Sequence, residues 1–292
     1  LFYQIPNDGG YVLGGFSDGY GQQDDFLVIK TNTSGTKQWA KIFGTRKADQ
    51  LVSLQPTFLS EGGSHNGYIL AGVYDNADGF LIRINDSGTV QWTKRYTGTG
   101  MRINTALQIF EGGIERYMMC GWIGTGTSRD FLVMKTDSSG NILMKKQYGL
   151  SGKEDSCWNI ERDSNGNFLL VGHSGPADNT RDALVIKIDV SGNVIWANTY
   201  TTAGSYRDQL FFVNQTPNGY TFGGESWDFT GGSTEDSDKQ SLVIETTSSD
   251  GGVVWSRLYG DPGANKADVF VSFTEHSDGG YAFVGRTQSW GV

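Results

Sequence analysis

Cysteine is almost absent from this chain. Its 292 residues hold two, Cys120 and Cys157. Two thiols are too few for a disulfide scaffold and lack the paired spacing of a structural zinc site. They read as two buried thiols or one disulfide, so an oxidising compartment is permitted but not required. No run of eighteen apolar residues occurs, which excludes a membrane-spanning helix. Basic charge is also in deficit. With 23 Lys and Arg against 32 Asp and Glu, the formal charge is −9, and no basic stripe is available to displace counterions from nucleic acid. The three histidines, His65, His173 and His276, have no neighbours at metal-ligand spacing. The first residue is Leu1, with no initiator Met or charged-then-apolar leader before it, so the chain is expected to be a mature product or a fragment.

Glycine and aromatic residues are abundant, at 42 Gly and 13% Phe, Trp and Tyr, a composition for many short strands joined by tight turns. Aligned on itself, the chain repeats roughly every fifty residues, a period that signals propellers and solenoids. Four strand types, here a to d, recur in fixed order. Strand b carries an aromatic followed four residues later by Gly, at Tyr11/Gly15, Tyr68/Gly72, Tyr117/Gly121, Phe168/Gly172, Tyr220/Gly224 and Tyr281/Gly285. Strand c reads DDFLVIKTN, DGFLIRIN, RDFLVMKTD, RDALVIKID and KQSLVIETT, with Asp25, Asp78, Asp130 and Asp182 each five residues before a Lys or Arg. Strand d carries Trp39, Trp92, Met144, Trp196 and Trp255, each with an aromatic four residues on. Strand a follows Asp49, Asp155, Asp208 and Asp268, with a divergent copy near Ile103–Phe110, and the opening Leu1–Asn7 fits the tail of a sixth.

The c–d turn is [Asn/Asp]-x-Ser-Gly at Asn32–Gly35, Asn85–Gly88, Asp137–Gly140 and Asp189–Gly192. An Asx side chain bonds the local backbone there and Gly takes positive φ, so each copy marks a hairpin. Val-, Ile- and aromatic-rich stretches broken by Gly make poor helices, and a single blade cannot bury both its faces. Stacking blades about an axis buries them. The expected fold is therefore all-β: a β-propeller, six-bladed with four-stranded antiparallel blades and an incomplete sixth. One propeller domain spans 1–292, with blades at about 1–44, 49–97, 102–149, 155–201, 207–260 and a partial 267–292. The d-strand Trp is expected between the wide outer parts of adjacent blades.

The Gly-Gly-ended strand, the distal Trp and the a–b–c–d order resemble Kelch-type repeats, in which that strand is second from the axis. The combination DxFLVIK…SG…W…Y/FG…D…GGYxxxG is more similar still to the extracellular repeats called SBBP, for seven-bladed β-propeller. That resemblance spans nearly the whole chain. It implies an extracellular or cell-surface location, and seven blades if the chain is a fragment, but it implies little about activity.

Strand b of the sixth repeat, Tyr281, Ala282, Phe283, Val284 and Gly285, is expected to be an open edge. Either residues beyond Val292 complete the blade or another chain adds strands to it, which would make the protein a subunit of an assembly or filament.

Function is sought where the repeat breaks. The residue after the b-strand Gly reads Phe16, Val73, Trp122, His173, Glu225 and Arg286, and the longest b–c loop, Ser226–Gln240, carries Glu235, Asp236 and Asp238. Variable loops on a fixed scaffold are where binding concentrates. The candidate ligand face is Trp122, His173, Glu225 and Arg286 with Trp227 nearby, set against a merely solvated rim. No catalytic residue and no metal site is assigned. The recurrent Asp residues point to bonding at strand starts. The stretch Ser248–Trp255 mimics a sialidase Asp-box only once, and Gly172–Gly175 is not a nucleophile elbow. No cofactor is expected. The 235–238 acids could offer oxygen ligands to Ca²⁺ but lack a defined loop pattern.

Sequons at Asn32, Asn85 and Asn214 are glycosylation candidates, although the c–d turn favours Asn and Ser for its own geometry. The expected function is a non-enzymatic, secreted, structural or adhesive module with protein or glycan partners, or one that self-assembles, without a membrane span or nucleic acid. The alternative is a lectin-like or glycosidase-like propeller that uses the b–c face, with Glu225 and Asp228 as a possible carboxylate pair.

Overall fold

The computed structural model describes all residues except 1, 6–8, 18–24, 45–48, 76–77, 177–179, 203–206, 228–238, 261–266, 276–279 and 289–292. The fold is all-β, a six-bladed propeller whose described residues form five four-stranded antiparallel sheets and one two-stranded sheet. Blade 1 is β1 (Phe2–Gln4), β2 (Tyr11–Ser17), β3 (Asp25–Thr31) and β4 (Lys37–Phe43). Blade 2 is β5 (Asp49–Phe58), β6 (His65–Tyr74), β7 (Asp78–Asn85) and β8 (Val90–Tyr96). Blade 3 is β9 (Arg102–Glu111), β10 (Ile114–Ile123), β11 (Asp130–Asp137) and β12 (Ile142–Tyr148). Blade 4 is β13 (Glu154–Arg162), β14 (Phe168–Gly175), β15 (Asp182–Ile188) and β16 (Val194–Tyr200). Blade 5 is β17 (Arg207–Gln215), β18 (Gly219–Trp227), β19 (Lys239–Thr247) and β20 (Val253–Tyr259), and β21 (Val269–Glu275) with β22 (Tyr281–Arg286) begins blade 6. In each full blade the strands pair in chain order, a to d. The chain divides into two compact units, residues 1–125 with 130–148, and residues 126–129 with 149–292.

The cores lie between neighbouring blades. In the first unit, one cluster joins Val12, Phe26 and Val28 of blade 1 to Leu54, Tyr68, Leu70, Ile82 and Ile84 of blade 2, and another joins Ile69, Ala71 and Leu81 to Ile103, Tyr117, Met119 and Leu132 of blade 3. In the second, Leu169, Val171, Val185, Trp196 and Tyr200 of blade 4 meet Leu210, Tyr220, Phe222, Leu242 and Ile244 of blade 5. The strand-b aromatics Tyr68, Tyr117, Phe168 and Tyr220 are fully buried. Strand c is buried on both faces, whereas strand d of blade 4 buries only Trp196 and Tyr200.

Polar ties cross the same seams. The c-strand cation of one blade reaches the next: Lys30 pairs with Asp86 at 2.8 Å, Arg83 donates to the Tyr117 hydroxyl at 3.1 Å, and Lys187 donates to the Tyr220 hydroxyl at 2.7 Å. The d-strand aromatics bind the next c–d turn, since the Tyr96 and Tyr200 hydroxyls each donate at 2.8 Å, to the Gly140 and Gly251 carbonyls. Trp39 donates to the Asp86 carbonyl at 3.1 Å, and Trp92 and Trp196 pack edge-on or tilted against Tyr117 and Tyr220. The c–d turns themselves close through their Asx acceptors. Asn32, Asn85, Asp137 and Asp189 each accept the backbone N–H four residues on at 2.8 Å. Asp substitutes for Asn without loss, so the turn requires the Oδ1 acceptor and not the sequon. Asn32 and Asn85 are half-buried in these turns, and Asn214 is half-buried near the end of β17.

Strand a is bulged at one place in every blade from the second on. The register shifts fall at Leu51/Ser53, Cys120/Gly121, Cys157/Asn159, Leu210/Phe212 and Phe270/Ser272. In blades 2, 3, 5 and 6 a strand-a carbonyl beside the shift lies against the repeated b-strand Gly. A Cβ at Gly72, Gly121, Gly224 or Gly285 would overlap the carbonyl oxygen of Gln50, Arg102, Gln209 or Val269 respectively. That overlap explains the repeated glycine. Blade 1, with its short β1, leaves Gly15 with open space in place of that contact.

The recurrent aspartates bond at strand starts. Asp155 accepts the Leu150 N–H and Asp208 the Thr202 N–H, both at 2.7 Å, and Asp182 accepts the Thr201 hydroxyl at 2.8 Å. Both cysteines are buried free thiols. The edge strand β22 pairs only with β21 among the described residues, and its Val284 is 61% exposed. Among the described residues no helix is long and apolar enough to cross a membrane.

Two outcomes follow. Gly121→Ala is expected to lower stability by about 1–3 kcal/mol through overpacking, and Gly15→Ala by less than about 1 kcal/mol; thermal and urea melts of the two variants check the difference. The second concerns the buried tie at Asp163, whose carboxylate meets Lys187 Nζ at 3.1 Å and the Tyr220 hydroxyl at 2.9 Å. Burial disfavours its charge, but the Asn167 N–H, Tyr220 and Lys187 outweigh burial and hold its pKa below the usual carboxylate range. A depressed pKa contributes stability above the unfolded value, about 4, that is lost as pH falls through the folded value. Asp163→Asn should therefore cost about 3–5 kcal/mol at neutral pH, by stranding Lys187, and the gap to wild type should close in denaturant melts below about pH 4.

Candidate functional site

The b–c end of blades 4 and 5, within the second unit, gathers the chemistry that does not repeat. Its frame comes from a repeated backbone tie. The N–H of Asp155, Asp208 and Asp268 donates to the carbonyl of Arg129, Arg181 and Lys239, at 2.8, 2.7 and 2.9 Å. Each cation is the residue that leads into a c strand, so the tie places three cations at equivalent points.

What stands beside each cation differs from blade to blade. At the start of strand a in blade 4 is Glu154, whose carboxylate bridges Arg129 at 2.6 Å and Arg181 at 3.2 Å. At the equivalent place in blade 5 is Arg207, in a parallel bridge with Arg181, and in blade 6 it is Ala267, in a parallel bridge with Lys239. Arg207, Trp227 and Lys239 lie in one cross-strand row. The Arg207 guanidinium sits 4.7 Å and the Lys239 ammonium 4.0 Å from the Trp227 ring centre, both in cation–π contact.

Two residues further in, on the same faces, are Gln209–Glu225–Ser241 in blade 5 and Ser156–His173–Ala183 in blade 4. Gln209 donates to the Glu225 carboxylate. His173 is 1% exposed, and its Nδ1 accepts the Trp158 indole N–H at 3.3 Å, which leaves the proton on Nε2. Burial, then the charges of Arg181, Arg129 and Arg207, push its pKa down to about 3, while Gln209 acts in the opposite sense. His173 is thus a neutral, oriented imidazole at physiological pH.

Trp158 and Phe211 are the extra residues of the strand-a bulges in blades 4 and 5. Their rings meet edge-to-face at 5.7 Å, and both are half-buried, so part of each faces solvent. The bulge puts them there, because an extra residue in strand a turns its side chain out of the paired alternation.

Of the five ligand-face candidates, His173, Glu225 and Trp227 come together here, and His173 and Glu225 are buried rather than part of a solvated rim. Trp122 is the penultimate residue of β10 in the first unit, half-buried, with the Arg102 guanidinium 5.1 Å from its ring centre. Arg286 is exposed at the end of β22 and lines a groove of about 170 Å³ with Ser241, Tyr259, Asp268 and Phe270. A larger groove of about 500 Å³ lies between β16 and the outer strands of blade 5, against Tyr200, Leu242 and Arg257, away from these residues. The acids Glu235, Asp236 and Asp238, as well as Asp228 and His276, lie outside the described residues. Among the described residues no three His, Cys, Asp or Glu side chains converge as a metal ion requires.

Arg129, Arg181, Arg207, Lys239, Trp158 and Phe211 were not among the sequence candidates. A signal existed for four of them, Arg129, Arg181, Trp158 and Phe211: the residue before the c-strand Asp is Arg in blades 3 and 4 only, and the third residue after the strand-a Asp reads Val52, Trp158, Phe211 and Val271.

No family model and no curated protein matches the chain. Solved structures similar to it include a periplasmic gluconolactonase of Pseudomonas aeruginosa, at 11% identity and a TM-score of 0.56 over 96% of this chain and 71% of that one. A quinohemoprotein alcohol dehydrogenase of Pseudomonas putida HK5 is similar at 12% identity and a TM-score of 0.50, over 98% of this chain and 55% of that one. A subtype N10 neuraminidase-like protein of an A/little yellow-shouldered bat strain aligns at 10% identity and a TM-score of 0.47, over 88% of this chain and 81% of that one. At these identities the likeness is one of fold alone.

The imidazole state is open to direct measurement. Long-range ¹H–¹⁵N spectra of His173 should show the neutral Nε2–H tautomer unchanged from pH 8 down to about pH 4, with protonation only near pH 3. Because an unfolded histidine titrates near 6.5, the group also withdraws stability as pH falls below about 6.5. An ordinary titration midpoint near 6.5 in the folded protein would contradict the buried tautomer.

Proposed function

We propose that this propeller is a non-enzymatic binding module of the structural or adhesive kind, working outside the cell and engaging protein or glycan partners through the b–c end of blades 4 and 5. The observation that carries this reading is the division between the two ends of the blades. The c–d turns are built alike in blade after blade, while the b–c end of adjacent blades presents different chemistry on the same backbone tie. A repeated position serves the fold; a position that departs from the repeat is free to serve a ligand.

The fold also hosts enzymes, the gluconolactonase among its neighbours. Against that role here stands the state of the groups at the site. His173 has its Nδ1 lone pair engaged by Trp158 and stays neutral far below pH 6.5, a poor position for a general base or acid. Glu225 is buried and held by Gln209. The extracellular setting is supported by the three sequons and the acidic composition. Self-assembly is supported by the β22 edge, whose backbone would accept a strand of the repeated c pattern from another segment or another copy.

A carbohydrate-binding variant of the same reading is favoured by the half-buried Trp158, Phe211 and Trp227, because aromatic faces stack on sugar rings. The test is retention of partners from extracellular matrix and cell-surface extracts, and of arrayed glycans, by immobilised protein. The double variant Arg181→Ala/Phe211→Ala should lose retention at least about tenfold, the scale of one or two lost contacts. Thr33→Arg/Ser138→Arg, at exposed c–d turn positions of the other end, should leave it unchanged. The reverse pattern, or measurable turnover of a retained glycan, would overturn the proposal.

A further inference from the structure

We propose that the outer flank of blades 5 and 6 seats a β-hairpin of the c–d kind contributed by a separate polypeptide, with a basic residue second in its turn. This surface is distinct from the b–c end and does not depend on it. At three seams the strand-d residues of one blade form a seat for the c–d turn of the next. A Cβ on the turn glycine would meet Trp39 and Lys41 at Gly88, Trp92, Lys94 and Tyr96 at Gly140, and Trp196 and Asn198 at Gly251. The middle residue of each seat also donates to the turn: Lys41 to the Gly88 carbonyl at 3.0 Å, Lys94 to the Asn141 side chain at 2.9 Å and Asn198 to the Asp250 carbonyl at 2.6 Å. The same positions of β20 hold Trp255, Arg257 and Tyr259. Among the described residues no turn lies on them. Arg257 is exposed and donates to the carbonyl of its own neighbour, Ser256, and Tyr259 is 38% exposed against 6% for Tyr96 and 8% for Tyr200.

Two further features complete the seat. Strand c occupies the far side of strand b in every complete blade, and on that side of β22, where Val284 is 61% exposed, a hairpin strand can pair. Beside it lies the groove of about 170 Å³ against Tyr259, Phe270 and Gly285. In complete blades the strand-c residue opposite the b-strand glycine fills the corresponding space. Leu132, opposite Gly121, clusters with Tyr96, and Leu242, opposite Gly224, clusters with Tyr200. An edge, an apolar socket and a turn seat together fit a hairpin and not a single extended strand.

Charge selects which hairpin. Lys30 and Lys187 of strand c reach the second residue of the next turn, Asp86 through its carboxylate at 2.8 Å and Ser248 through its carbonyl at 3.4 Å. In blade 5 the residue in that register is Glu245, opposite Trp255 as Lys187 is opposite Trp196. The sign of the charge is inverted, so a basic second residue is the one that complements it. This chain's own turns read Thr33, Asp86, Ser138, Val190 and Ser248 there, none of them basic, and all five of its c strands are paired on both sides within their own blades. A second copy therefore has no such hairpin to give, and the donor is a different polypeptide.

The probe is a synthetic peptide of residues 181–201, the blade 4 hairpin, carrying either Val190→Lys or Val190→Glu in its turn and titrated calorimetrically into the 292-residue chain. The Lys peptide should bind one to one, at least about tenfold more tightly than the Glu peptide. Glu245→Lys in the protein should reverse that order, and Tyr259→Ala should weaken the Lys peptide about tenfold. Adding Gly192→Val to the peptide should abolish binding, because the seat admits a glycine turn. Thermal melts within a few degrees of wild type confirm that the protein variants are folded. No binding by either peptide, undiminished binding of the Gly192→Val peptide, or an order that Glu245→Lys does not change overturns the proposal. So does a peptide-free chain that sediments as a dimer and reverts to monomer with Val284→Lys, since a second copy then covers the flank. If protein isolated from its own source is monomeric and refuses the peptide that the 292-residue chain binds, its own polypeptide supplies the hairpin, and the separate partner falls. None of these outcomes touches partner retention at the b–c end, which stands or falls by its own double variant.

Discussion

Everything in this protein depends on blades having two apolar faces and no means of burying both alone. A four-stranded sheet whose strand c is buried on each side must be sandwiched, and the apolar clusters accordingly join adjacent blades. The fully buried strand-b aromatics, Tyr68, Tyr117 and Tyr220, sit in those seams and contribute the largest single areas. Hydrophobic burial is non-directional, however, and would allow two sheets to slide. The ties from Lys30, Arg83 and Lys187 into the next blade, with the Tyr96 and Tyr200 hydroxyls on the next turn, remove that freedom. Burial supplies the stability and the polar ties set the register.

The same requirement shapes the inner ends of the blades. Strand a is bulged once in each blade from the second on, and in blades 2, 3, 5 and 6 its carbonyl lies against strand b where only glycine fits. The extra residue in strand a escapes the alternation and is released from packing duty. In blades 4 and 5 that released position holds Trp158 and Phe211, and in blade 3 it holds Asn104. A device that serves folding thereby brings, in blades 4 and 5, a half-buried aromatic ring to the surface. The backbone tie between the start of one strand c and the next strand a sets Arg129, Arg181 and Lys239 at equivalent points.

How much of this could be read beforehand follows from what repeats. The blades, their strand order, the hairpin turns and the strand-start aspartates were legible because each appears several times in register, and repetition separates signal from accident. His173 and Glu225 stand out in the sequence because they break the repeat at one recognisable place, and Trp227 lies near them. Their partners were not. Trp158 is fifteen residues from His173, and Arg207, Trp227 and Lys239 are brought into one row only by register across a turn and a long loop. The bulge also hides its own residue, since the alternation by which a strand is read fails where one residue is unpaired.

The amino-acid sequence by itself determined the kind of unit, its number of inner strands and the positions that every copy needs, because local turn chemistry and period-two burial are properties of short segments. Tertiary structure alone decided which unlike residues meet. That a glutamate bridges two arginines in one gap while an arginine fills the next, that a histidine is held neutral under an indole, and that two bulge aromatics lie edge to face all depend on adjacent blades meeting in a particular register. That register is set by packing between segments far apart in the chain, and no short segment carries it.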